Sequence, residues 1–303
     1  MLRGAIYGLT AAAIWGGMYV VSDIVLAIIP PFTLLTLRLV IGGVILALLA
    51  RLNPNTVYPD RRGLVTLLGV GIVGFGISVA AQFVGTDKST AVNGTLITSA
   101  SPAFILIFAA ILLREKLTLM RIAAVVLATI GVIVIIDPAN INFSSDTFFG
   151  DMALAVAALT WGLYSVLVRQ VSGQFDTLVI SLFAFLGGML ITVPAAAIEL
   201  TSRPIGEITP AVLLGVAYLG VISTAVAMWM WNRAFALVDA SIASLFFFAQ
   251  PLVGVLLSVI VLNQTITQTL AIGSVLIVIG VLLSIIRTSP DSATLDIVNS
   301  AKS

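Results

Sequence analysis

The chain has 303 residues, 60% of them hydrophobic and only 9% Asp, Glu, Lys or Arg, against roughly a quarter charged in a soluble domain. A mean hydropathy of +1.20 and repeated apolar runs long enough to cross a hydrocarbon core of roughly 30 Å identify an integral membrane protein. A thinly spread formal charge of +1 leaves no basic block for a nucleic-acid partner, and the absence of His and Cys removes thiolate and imidazole chemistry and nearly every metal site.

Apolar runs bounded by charge, Pro or Gly predict ten helices near 4–28, 32–51, 63–84, 90–113, 118–136, 150–171, 177–198, 211–236, 240–262 and 268–287. The first follows Met1 closely and is read as a retained helix, since nine more spans follow. It offers Trp15, Tyr19, Ser22 and Asp23, and after the short Ile-Ile-Pro-Pro turn the second helix offers Arg38. Asp23 and Arg38 are charges within spans, each unfavourable by at least about 2.5–3.5 kcal/mol, and could pair as a gate or clasp or else snorkel to the nearer interface. The third helix carries a stripe of Gly71, Gly74, Ser78 and Gln82 and runs into Asp87 and Lys88, expected as a loop pair. On the fourth, Gly94, Thr98 and Ser101 recur at helical spacing with Asn93 beside them, and the turn bearing Arg114, Glu115 and Lys116 reads as a solvated helix-end cluster.

The second half offers Trp161, Tyr164 and Ser165 on the sixth helix and Tyr218, Thr224, Trp229 and Trp231 on the eighth. The ninth offers Ala243, Phe247 and Gln250. Amides and hydroxyls in lipid need partners and so should face the bundle interior, whereas Trp and Tyr also suit the aromatic belts of the interfaces. Gly and Ser stripes also serve close helix packing.

Charge orients the chain. With the N-terminus inside, Arg3, Arg51, Arg61, Arg62, Arg114, Lys116, Arg121, Arg169, Arg233, Arg287 and Lys302 fall on the inner face, against Arg38, Lys88 and Arg203 in or near the outer half. The segment from Ala91 aligns without gaps to that from Ala240, so that Pro102 meets Pro251, Thr118 meets Thr267 and Gly131 meets Gly280. The sequence around Trp15 likewise matches that around Trp161. Five helices per repeat is an odd number, so the second repeat enters from the opposite face and the repeat is inverted. The expected fold is all-α integral membrane, with repeats at 1–137 and 150–287, a periplasmic linker at 138–149 and a disordered cytoplasmic tail at 288–303.

The Trp-Gly pairs (Trp15-Gly16, Trp161-Gly162), Arg38 in the second helix, the Ser-Pro at Pro102, the Leu-Arg-Glu-Lys-Leu-Thr turn and Gly131 occur in an order that resembles the drug/metabolite transporter superfamily, in the branch built from two EamA domains. The second half departs from that pattern where Gln264 stands opposite Glu115 and where its second helix has no Arg. The resemblance implies an exporter with a central cavity lined by the first, third, fourth, sixth, eighth and ninth helices.

Substrate-binding residues are therefore expected among Trp15, Tyr19, Ser78, Gln82, Asn93, Gly94, Thr98, Trp161, Tyr164, Phe247 and Gln250. No carboxylate lies at the predicted midplane, which suits a neutral or zwitterionic cargo, above all an amino acid. The same rings would also suit a lipophilic cation. A membrane subunit without transport is the rival from another class, and an intramembrane enzyme would need a nucleophile and base that the composition hardly supplies. No cofactor or metal is expected; the partners are a small-molecule substrate and membrane lipid, and the place is the inner membrane with both termini cytoplasmic.

Overall fold

The computed structural model describes residues 2–89, 97–136, 147–253 and 268–286. Among these residues the chain is all-helical. The helices are α1 (Leu2–Leu26), α2 (Pro31–Leu52), α3 (Arg61–Lys88), α4 (Ser101–Leu112) and α5 (Leu119–Ile136), then α6 (Phe148–Val171), α7 (Thr177–Ser202), α8 (Pro210–Leu237), α9 (Ala240–Val253) and α10 (Gln268–Ile286). Five of them, α2, α3, α6, α7 and α8, are long and apolar enough to cross a membrane. Large apolar side chains point outward along them, including Leu48, Leu190 and Leu214, as lipid rather than water would require. The predicted tail at 288–303, most of the predicted linker, and Asn93 and Gly94 lie outside the described residues, as do the side chains of Tyr19 and Asp23.

Helix starts follow their local chemistry. Asp60 accepts from the Gly63 amide at 2.8 Å to open α3, Asp176 accepts from Leu178 to open α7, and Thr209 with Pro210 opens α8. Helices α2 and α9 have no cap of their own and take one from the other half of the chain. Glu199, near the end of α7, accepts from the Phe32 and Thr33 amides and the Thr33 hydroxyl at 3.2, 2.9 and 3.0 Å. Glu115 accepts from the Ala240 and Ser241 amides and the Ser241 hydroxyl at 2.8, 3.1 and 2.6 Å. Arg114, with φ of 54°, turns the end of α4 through the left-handed region and delivers Glu115 to that position.

The packing is cross-wise. Helix α1 packs on α8 and α9, and α6 packs on α3 and α4; α2 packs on α7 and α8, α7 on α2 and α3, and α5 on α10. Both α3 and α8 contain a π-helical stretch, Ile72–Val79 and Tyr218–Val226. Small residues set the closest approaches: a Cβ on Gly16 would stand 2.8 Å from the Gln250 carbonyl oxygen, and one on Gly162 would stand 2.7 Å from the Phe104 side chain. Each Trp-Gly pair thus seats one helix against the other half of the chain and leaves its indole facing inward.

Candidate functional site: a closed central cavity

Where the two halves meet, Trp15 and Met18 of α1, Arg38 of α2, Ser78 and Phe83 of α3, Thr98 and Ser101, Trp161 of α6, and Phe247 and Gln250 of α9 leave a cavity of about 40 Å³. That holds about three waters at ~10–15 Å³ each, far below the roughly 300–1,000 Å³ of a typical ligand pocket. Toward the end of the bundle that carries Glu115 it is sealed by rings. Trp231 is fully buried, with centroids 5.3 Å from Trp15, 6.1 Å from Trp161 and 5.9 Å from Phe247, and its indole N–H donates to Ser165 at 3.3 Å.

The π-helical stretch of α8 supplies the polar side of the site. Its wide turn leaves the Ser223 carbonyl to accept from the Trp15 indole at 3.0 Å, and Thr224 donates to the Leu219 carbonyl at 2.7 Å. Against this stretch lies Arg38, only 1% exposed. Its Nε donates to the Thr224 hydroxyl at 2.9 Å, one Nη donates to the Ser223 hydroxyl at 3.3 Å and lies 3.5 Å from the Met18 sulfur, and Phe83 sits with its ring centroid 5.1 Å from the guanidinium carbon. Snorkelling to an interface is therefore not what Arg38 does. These ligands are all neutral, and the second Nη has no hydrogen-bond partner among the described residues. The Asp23–Arg38 clasp rests on a side chain outside those residues.

Of the predicted site residues, Trp15, Ser78, Gln82, Thr98, Trp161, Phe247 and Gln250 come together on the cavity wall. Tyr164 does not. It is fully buried one turn beyond Trp161, and its hydroxyl donates to Asn232 at 2.9 Å, whose amide donates to Ser181 at 3.0 Å. Tyr164→Phe would leave the buried Asn232 oxygen unmet, with an expected loss of about 1–3 kcal/mol of stability and little change in cargo selectivity. Thermal denaturation of the purified variant beside its uptake profile checks this; a changed profile at unchanged stability would return Tyr164 to the site.

Two residues that the sequence singles out had roles it left open. Trp231 gives the same signal as an interface tryptophan, and Arg38 the same signal as a snorkelling cation. Two clusters also differ from expectation. Arg114 and Lys116 are exposed as a solvated helix end would have them, but Glu115 is a part-buried cap, with Arg121 donating to Ser241 at 2.7 Å and to Asp239 at 2.8 Å beside it. Asp87 and Lys88 do pair, at 3.6 Å, but at the end of α3 rather than in a loop, and Asp87 also accepts from Arg203 at 2.7 Å. A wider cleft of about 580 Å³, lined by Tyr7, Leu46, Asp176, Trp229 and Arg233, shares no residue with the central cavity. The unmet buried polar atoms, by contrast, include Arg38, Trp161 and Gln250 of the central one.

The sequence matches the EamA-like transporter family over residues 2–137 and 148–286. It is 24% identical to an uncharacterized transporter of Archaeoglobus fulgidus over 89% of this chain and 93% of that protein. It is 26% identical to the uncharacterized transporter YetK of Bacillus subtilis (96% and 89%) and 26% identical to the uncharacterized inner membrane transporter YicL of Salmonella typhimurium (93% and 94%). A solved crystal structure superposes with a TM-score of 0.77 at 22% identity, covering 93% of this chain and 96% of the other, a likeness of fold alone.

Proposed function

The chain belongs to the EamA-like transporter family, and from that premise we propose that it exports small organic metabolites, neutral amino acids first among them, by alternating access through the central cavity. One observation carries this: the space between the halves, walled by Trp15, Trp161 and Phe247 and edged by Ser78, Gln82, Thr98 and Gln250, is too small to hold a metabolite as it stands. A site of that lining has to open before it binds, and opening to one end at a time is what a carrier does. Rings pack an apolar side chain while amides and hydroxyls meet a polar head.

The frame for this is ten spans in two inverted repeats of five, both termini cytoplasmic, in the inner membrane. Support for the two repeats comes from the packing, because exchanging α1–α5 for α6–α10 turns each main contact into another one present: α1 on α8 becomes α6 on α3, and α4 on α6 becomes α9 on α1. The inversion rests on the odd number of helices per repeat. Gly131 and Gly280 answer each other across α5 and α10, a Cβ on the first standing 2.7 Å from the Gly273 oxygen and one on the second 2.8 Å from the Ala124 oxygen. The buried cation of Arg38 on the wall counts against a lipophilic cation as cargo.

Counterflow in proteoliposomes tests the reading. Vesicles are preloaded separately with aromatic, hydroxylated and branched amino acids and with a lipophilic cation, and a labelled trace of each is followed. Accumulation with one amino-acid class is expected. Accumulation of the cation alone would replace the cargo, and none at all from folded protein would favour a non-transporting subunit.

A further inference from the structure

Three residues that line the cavity each carry a buried polar atom with no hydrogen-bond partner among the described residues: one Nη of Arg38, Nε1 of Trp161 and Oε1 of Gln250. Their residues are 1%, 8% and 7% exposed, so bulk water does not reach them and only what occupies the cavity can meet them, a few waters when it is closed and the cargo's polar head when it is loaded. Groups so buried are ordinarily satisfied, and an unmet donor on a cation is the most unfavourable of the three. All three residues line one cavity, and two of the unmet atoms are donors while the third is an acceptor. We propose that this triad is a recognition site for a carboxylate, with Arg38 as its anchor and Trp161 as the second donor, and that Gln250 accepts from an ammonium on the same cargo.

The arrangement around Arg38 favours this over a purely structural role. Thr224, Ser223 and the Phe83 ring fix the guanidinium on one edge and one face, and every one of these described partners is neutral, so none of them cancels the positive charge they hold in place. A guanidinium fixed in this way with a free N–H is organised for an anionic oxygen and repels an amine. The donors also come from different halves of the chain, Arg38 from α2 and Trp161 from α6, with Gln250 on α9. A bound carboxylate would therefore tie the first half to the second, and its arrival could be felt by both. The inference rests on the cavity's being the transport site, but the recognition it describes is measurable without transport.

The test uses the indoles beside the site as reporters in the purified full chain. Tryptophan fluorescence is titrated with phenylalanine, 2-phenylethylamine and 3-phenylpropionate, and with the matched set leucine, 3-methylbutylamine and 4-methylpentanoate. The amino acid and the acid of at least one set are expected to bind at least ~10-fold more tightly than the amine. Arg38→Gln should abolish that preference, and Arg38→Lys should keep only part of it, because the ammonium keeps the charge but loses the planar fork that holds Thr224 on one edge while presenting a further N–H to the ligand. An amine that binds as well as its acid overturns the proposal, as does a folded Arg38→Gln that keeps the preference or a wild type that binds no carboxylate probe. The wild-type comparison decides even where the variants do not fold. Carboxylate-selective binding without counterflow would leave this recognition standing and remove the transport reading instead.

Discussion

Gly71→Ala should lose folded protein, although it adds a single methyl to a membrane helix. A Cβ at Gly71 would lie deep inside contact distance of the Ala184 carbonyl oxygen and 2.6 Å from its carbonyl carbon and Cα, and a Cβ at Gly187 would strike the Leu68 carbonyl from the other side. These obstacles are backbone, so no rotamer change relieves them, and α3 and α7 have to move apart. Overpacking ordinarily costs about 1–3 kcal/mol, and a backbone clash belongs at the upper end or beyond, a melting temperature lower by roughly 5–10 °C. Gly69→Ala is the control. A Cβ there meets nothing within 4 Å, and a helical Gly to Ala change is favourable by up to about 1 kcal/mol, so it should melt at or above the wild type. Equal melting of Gly71→Ala and Gly69→Ala in detergent would refute the close α3–α7 approach. The test matters for function because α3 brings Ser78 to the cavity, and its hydroxyl donates to the Ala157 carbonyl of α6 at 2.8 Å.

What the sequence makes legible is whatever a single helix determines. The bounds of α2, α6, α7 and α8 follow from apolar runs closed by Pro, Asp or Arg, and the position of Trp15 and Trp161 well inside their spans already favours the cavity over an interface belt. What stayed hidden depends on distant segments. Arg38 in an apolar run looks the same whether it snorkels or is buried, and its partners Ser223 and Thr224 lie 185 and 186 residues away on a stretch whose π-helical turn no periodicity announces. Glu115 among basic neighbours at a helix end gives every sign of a solvated cluster; only the uncapped start of α9, 125 residues on, turns it inward. Tyr164 follows Trp161 by three positions and so shares its face, yet Trp161 reaches the cavity while Tyr164 is drawn to Asn232. Helical spacing gives the face, not the depth.

Glu115→Gln should open one end of the bundle and leave the other shut. At that end the carboxylate accepts three hydrogen bonds from the start of α9, while Arg121 ties Asp239 and Ser241 to the same place; at the far end Glu199 holds the start of α2 and Arg203 ties Asp87 to the Leu26 carbonyl at 3.0 Å. Each latch joins elements from different halves, so each has to part if the halves rock. A glutamine keeps the shape but turns an NH2 toward amide donors, losing at least one charge-assisted bond of about 1.5–3 kcal/mol, which shifts a two-state equilibrium by roughly 10- to 100-fold. The chain has no Cys, so single probes report cleanly. Ser165→Cys lies beneath Trp231 on the Glu115 side, and Ser22→Cys lies in α1 toward the Glu199 side; both serines are buried. An impermeant maleimide should label Ser165→Cys at least ~10-fold faster when Glu115→Gln is added, with Ser22→Cys unchanged or slower, and Glu199→Gln should give the reverse. Reciprocal protection is the mark of a coupled pair of gates. If Glu115→Gln speeds labelling at both positions alike, the carboxylate is a plain stabiliser of the fold, and the closed cavity does not alternate through these latches.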